Sequence, residues 1–269
     1  MLGTLLKYEF KAIGRLMLPL YAAWLIAAVL LGLSVSGNEF GGQGLLFIVI
    51  SGILYGAFAM VAVVLTCIIL IQRFYKNLLG NEGYLMFTLP VSTSQHIINK
   101  TLSAAVWGTA GIIVAALSGL LIAGCSQGFG TVFDTFHFMV GDLNLMMERE
   151  PSMPIIIIEL LVLVFIAFAE TAAKVYAAIA VGHQWSNHRV IGAIGAYIGF
   201  GIIETVIGNI LGKILDNIDP DFLIGMESNM SDTASIHLTM VLLIIGIAIV
   251  GAIYGLISWK LLDKRLNLE

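Results

Sequence analysis

The chain has 269 residues, of which 59% are hydrophobic and only 11% are Asp, Glu, Lys or Arg, against about a quarter charged in ordinary soluble domains. Its mean hydropathy of +0.99 comes from long uncharged runs, and about 20 apolar residues suffice to cross a bilayer as a helix. A soluble globular enzyme is excluded and an all-α polytopic membrane protein is expected. The net charge of −4 carries no clustered basic face, so no nucleic-acid partner is expected.

The first fifteen residues read as an amphipathic helix, with Lys7, Lys11 and Arg15 recurring every four positions opposite Leu2, Leu6, Phe10 and Ile13. Such a helix lies at the membrane interface and directs its cations to anionic lipid, or serves only as a basic anchor. Glu9 projects close to its apolar arc. Six stretches of spanning length follow, at about 16–36, 45–71, 103–124, 154–182, 190–211 and 237–259. The first is read as a retained span, because a basic segment precedes it and no clean small-residue cleavage site follows.

Six spans place both termini on one side, and Lys and Arg accumulate in the loops kept in the cytoplasm. Ten of the thirteen basic residues fall on the side of the termini: Lys7, Lys11, Arg15, Arg73, Lys76, Lys100, Arg189, Lys260, Lys264 and Arg265. The opposite loops hold only Arg149 and Lys213, beside ten acids. Both termini are therefore expected in the cytoplasm of a cell whose plasma membrane the chain crosses. Cys67 and Cys125 fall near opposite ends of different spans, on opposite membrane sides, so no disulfide is expected between them.

Between spans two and three, residues 72–101 form the most informative polar stretch. Arg73 to Leu79 and Tyr84 to Leu89 mix aromatics with Leu and Met, and they break at Gly80 and Gly83. Pro90 ends the second piece, and Ser92 with Gln95 forms a capping box that starts a helix into span three. The stretch reads as a rigid helical elbow. Its Glu82, Leu85, Leu89, Pro90, Val91, Ser92, Ile97 or Ile98, and Lys100 resemble the first cytoplasmic loop of ABC-2 type transporter permeases. By motif the resemblance covers about residues 72–101; by layout it covers the whole chain. Here Gly83 follows Glu82 where members often carry a basic residue.

The resemblance implies a six-span, bacterial plasma-membrane permease subunit of an ATP-driven exporter, paired with a second permease chain, identical or related. A separate ABC ATPase subunit would hold ATP and Mg and would dock on the elbow, with Glu82, Tyr84, Leu85, Phe87 and Pro90 as coupling residues. The chemistry suits that role. Docking needs an apolar or aromatic knob on a rigid body, with a charge to set register. The same aromatics also suit an interfacial belt.

Span four carries three ionisable residues, Glu159, Glu170 and Lys174, which share a sector of about 60 degrees at 100 degrees per residue. Charge at membrane depth is expensive, so this face points into protein or a wet cavity, and Glu170 and Lys174 are spaced to pair at i, i+4. Glu204 in span five adds a fourth. A translocation or proton pathway and a structural ion pair are both consistent with this pattern. Gly52/Gly56, Gly195/Gly199 and Gly251/Gly255 carry the small-xxx-small spacing of close helix packing. The outer loops at 125–153 and 212–236 are acidic but also hold Phe129, Phe133, Phe136 and Phe138, then Phe222, Leu223 and Met226, which suits partial re-entry or a lid as well as a solvated loop.

No phosphate-cradling G-x-x-x-x-G-K-[ST] loop is present, so ATP hydrolysis by that route is excluded. Nucleophile-elbow, H-E-x-x-H and paired-cysteine signatures are missing too. No catalytic residue, cofactor or metal is assigned to this chain. His183 and His188 stand five apart in one short turn, which offers no third ligand. Two rival readings are an ion-driven carrier or substrate-capturing subunit using the span-four charges, and an intramembrane enzyme using Glu159, Glu170 or His183.

Overall fold

The computed structural model describes residues 2–36, 42–79, 91–149, 152–185, 188–216 and 232–264. Seven α-helices carry them: α1 Leu2–Ser36, α2 Gly42–Phe74, α3 Thr93–Gln127, α4 Phe129–Arg149, α5 Met153–Gly182, α6 Arg189–Asp216 and α7 Asp232–Lys264. No strand occurs among the described residues. Six helices are long and apolar enough to cross a membrane, all but α4. The chain is an all-α, multi-pass membrane protein. Its exposed large hydrophobics, such as Phe47 at 68% and Met60 at 71%, are the surface that a bilayer covers.

The chain divides into two compact units. One comprises residues 3–70 and 106–149. In it, α1 buries a stripe at Glu9, Ile13, Met17, Tyr21, Trp24 and Ala28, the spacing of one helical face. The basic N-terminal segment and the first span are one continuous helix, without the break expected near residue 15. Pro19 lies inside it, so the carbonyl of Arg15 lacks its helical donor close to that junction. Glu9 lies on the buried stripe, while Lys7, Lys11 and Arg15 are exposed.

Ile13, Met17 and Tyr21 pack with Ile69, Leu70, Trp107, Ala110 and Val114 of α2 and α3. The Tyr21 hydroxyl donates to the Trp107 carbonyl at 3.0 Å, and Tyr55 and Ser118 share a hydrogen bond of 2.9 Å. At the far end, α1 and α3 approach closely: a Cβ on Gly32 would lie 2.6 Å from the Cβ of Cys125. Cys67 and Cys125 are free thiols.

α3 ends in a left-handed glycine, Gly128 at φ 92°, whose N–H returns to the Gly124 carbonyl at 3.0 Å. The chain restarts as α4, and the Phe129 ring folds against Gly124, where a Cβ would sit 2.5 Å from a ring carbon. Phe129, Val132, Phe133, Phe136, Val140 and Leu143 recur at helical spacing on one side of α4, with Asp134, His137 and Glu148 away from it. Within the stretch 125–153, expected as an outer loop, Phe129–Arg149 is thus an exposed amphipathic helix.

The second unit comprises residues 71–105 and 150–269, with Met1–Leu2. α5 is its centre and packs on both α6 and α7. Pro154 stands in the first turn of α5, where a missing N–H breaks no helical bond. Gly182, at the other end, is required by a close approach: a Cβ there would lie 2.3 Å from the Ala193 backbone nitrogen of α6. Ala173 and Ala177 of α5 pack with Phe200 of α6 and with Tyr254, Val250 and Ile257 of α7.

α2 does not stop at Phe74. It passes into a π-helical turn, Tyr75–Leu79, a rare geometry frequent at functional sites. α3 starts at Thr93, with the Ser92 carbonyl accepting from the N–H groups of Gln95 and His96 at 3.0 and 3.3 Å. The Ser92 hydroxyl pairs with Ser94 at 3.0 Å rather than completing a box with Gln95. Of the small-xxx-small pairs, only Gly251 sits tightly against a neighbour within its unit, with Glu170 atoms 3.3 to 3.7 Å from a built Cβ; Gly56, Gly195, Gly199 and Gly255 meet open space.

Candidate functional site

Two groups of side chains in the second unit carry chemistry. One lies within the spans. Lys174 of α5 pairs with Glu204 of α6. Tyr254 of α7 donates its hydroxyl to the other oxygen of the same carboxylate. The Lys174 ammonium lies 5.2 Å from the centroid of the Tyr197 ring, and Phe200 and Tyr254 meet at 5.0 Å between centroids. Three helices thus converge on one carboxylate, which a membrane interior tolerates only when it is neutralised and hydrogen-bonded.

Glu170, the expected i, i+4 partner of Lys174, hydrogen-bonds Thr171 at 3.5 Å instead. It stays within electrostatic reach of both Lys174 and Glu204. Glu159 lies on the same helix but apart from this group: it is buried, and one of its carboxylate oxygens meets Nδ1 of His237 at the start of α7. That contact lacks the alignment of a hydrogen bond, and the other Glu159 oxygen is buried without a partner. The four sequence-derived candidates therefore form a triple of Glu170, Lys174 and Glu204, with Glu159 separate. Tyr197, Tyr254 and His237 are the partners that residue spacing does not reveal, since tyrosine and histidine in an apolar helix carry no signal of what they face.

The second group forms the anchored limbs of the 72–101 stretch. Phe74 is fully buried and stacks on Tyr176 of α5, with 4.0 Å between centroids and 5° between planes. Leu78, Leu79, Ile97 and Leu262 complete this cluster, which joins the end of α2, the start of α3, α5 and α7. Thr93 adds a hydrogen bond of 3.3 Å to Asp263 of α7. His96, Asn99, Lys100 and Ser103 are also buried along the start of α3. Glu82, Tyr84, Leu85, Phe87 and Pro90 lie outside the described residues.

His183 caps α5, its N–H bonding to the Ile179 carbonyl at 2.9 Å. Burial holds its imidazole below the ordinary histidine range, and the nearby charge of Arg189 acts in the same direction. Tyr75 of the π-helical turn meets the His183 ring edge-on at 6.1 Å. His188 is exposed, and its carbonyl accepts from Gly192 at the start of α6. Among the described residues, no three His, Cys, Asp or Glu side chains gather closely enough to hold a metal ion. No family model, curated protein or solved structure matches the chain.

Proposed function

We propose that this chain is the membrane-spanning permease subunit of an ATP-driven ABC exporter, with both termini cytoplasmic, working in a dimer of permease chains. A separate ATPase would dock on the 72–101 elbow, close on ATP and Mg, and move the spans between inward and outward access. One observation carries this reading. Both limbs of the elbow are packed into the compact unit that contains α5, α6 and α7, through Phe74 on Tyr176 and through Leu79, Ile97 and Leu262. A displacement applied at the elbow is therefore delivered to the helices that hold Lys174, Glu204 and Tyr254, because packed interiors transmit strain rather than absorb it. The sequence resemblance at Glu82, Leu85, Pro90 and Lys100 gives that displacement a source.

The test is coupling. Replacing Glu82, or Tyr84 together with Phe87, is expected to leave the fold intact while separating ATP hydrolysis by the partner from transport. Retained wild-type coupling would remove the elbow from the mechanism. A second reading, an ion-driven carrier, is favoured by the Glu170, Lys174, Glu204 and Tyr254 cluster inside the spans, since intramembrane ionisable groups mark ion or proton paths. Transport sustained by an ion gradient alone, and lost in Glu170→Gln, would favour that reading over the first.

A further inference from the structure

We infer that a groove bounded by the π-helical turn, the end of α5 and the start of α6 is a selective site for an anionic phospholipid. The groove encloses about 720 Å³, within the range of about 300–1,000 Å³ typical of ligand sites. It is graded along its length. At one end stand Lys76, His183 and Arg189, one from each of the three elements. Toward the other, the walls are apolar, with Ile71 of α2, Val175 of α5 and Ile194 of α6. From Arg189 to Tyr197 the lining follows one face of α6 over eight helical steps, about 12 Å at 1.5 Å per step. A polar end continuous with an apolar trough at the margin of the spans is the shape of an amphiphile.

Charge selects the headgroup. Two cationic side chains, Lys76 and Arg189, line the groove, and among the described lining residues there is no Asp or Glu. Arg189 Nε and His183 Nδ1, on two residues that line the groove, are buried and make no hydrogen bond among the described residues. A guanidinium there is matched by a phosphate, which accepts charge-assisted hydrogen bonds, and basic pockets between spans suit anionic headgroups. The apolar trough opens beside Val190 and Ile194, which are 72% and 57% exposed, so an acyl chain enters directly from the bilayer. The inference depends on membrane location alone and stands whether or not the chain is an exporter subunit.

The experiment is native mass spectrometry of the purified full-length chain in mild detergent, with phosphatidylglycerol and phosphatidylcholine of matched acyl chains. The wild type is expected to retain one phosphatidylglycerol per chain, about tenfold over phosphatidylcholine, because both lipids offer the phosphate but only phosphatidylcholine brings a choline cation, which the Arg189 charge repels. Arg189→Gln is expected to bring that ratio near parity and Arg189→Lys to preserve most of it. Ala193→Trp, which fills the trough, is expected to abolish retention of both lipids. Equal retention of the two lipids by the wild type would overturn the site, whatever the variants do. So would an unchanged ratio in Arg189→Gln, or lipid still held by a folded Ala193→Trp protein.

Discussion

Lys174 makes its ion pair across helices, with Glu204 of α6, and not along its own helix with Glu170 four residues earlier. The choice has a physical basis. An i, i+4 pair adds only a few tenths of a kcal/mol and leaves both charges facing one side of one helix, whereas the interhelical pair ties α5 to α6 and gives the carboxylate a second donor, Tyr254 of α7. A carboxylate shared between an ammonium and a phenol needs no other charge in the bilayer.

The pair is expected to behave as a unit. Lys174→Met leaves the Glu204 carboxylate with one partner, and a loss of about 2 kcal/mol is expected, below the range for fully buried pairs because Glu204 is 33% exposed. Glu204→Gln is expected to cost a similar amount. The double variant should lose less than the sum, by about 1–2 kcal/mol, in a thermal-unfolding cycle in detergent. Strictly additive losses would mean that the two groups do not interact in the membrane.

Phe74 anchors the end of α2. It is fully buried in a face-to-face stack with Tyr176, so Phe74→Ala is expected to cost about 3–4 kcal/mol. Tyr75, the next residue, is 40% exposed, and Tyr75→Ala should stay within about 1 kcal/mol of wild type. Unfolding midpoints of the two variants measured side by side decide this, and equal midpoints would argue against the buried cluster.

Glycine is required at some positions and incidental at others. A methyl at Gly182 meets the Ala193 backbone at 2.3 Å, and backbone does not yield cheaply, so Gly182→Ala is expected to destabilise the α5–α6 hairpin by about 2 kcal/mol or more. Gly195 has open space around it, and Gly195→Ala is expected to stabilise by about 0.5–1 kcal/mol through helix propensity. Thermal unfolding with opposite signs for these two substitutions is the predicted result.

His183 is expected to be neutral at pH 7. Burial first, and Arg189 second, lower its pKa in the folded chain below the unfolded value of about 6.5. A histidine with a depressed folded pKa contributes stability that is present above the unfolded value and is lost as pH falls through the folded one. Imidazole NMR of the labelled protein should show His183 titrating below 6.5. Arg189→Gln should raise that midpoint, since it removes the second cause.

The six spans are legible in the sequence because each carries an apolar run of sufficient length, and the bilayer imposes that length directly. The shared face of Glu170 and Lys174 is legible from helical period alone. Their partners are not: that Lys174 faces Glu204 and Tyr254 depends on how α5, α6 and α7 cross, which no single helix encodes. α4 is visible as a scatter of phenylalanines at 129, 133 and 136 but resolves into a helix only once Gly128 turns the chain after α3. The continuity of α1 through Arg15 goes against the expected boundary there, because a basic stripe and an apolar span extend one helix as readily as two.

The central claim is that the elbow binds an ATPase. The most direct measurement is purification of the full chain from native membranes in mild detergent, with mass spectrometry of every stoichiometric companion. The wild type is measured beside a variant carrying alanine at Glu82, Tyr84 and Phe87. The account predicts an ATPase subunit with the wild type and its loss from the folded variant. A folded wild-type protein that carries no ATPase, or a variant that keeps it, would contradict the account.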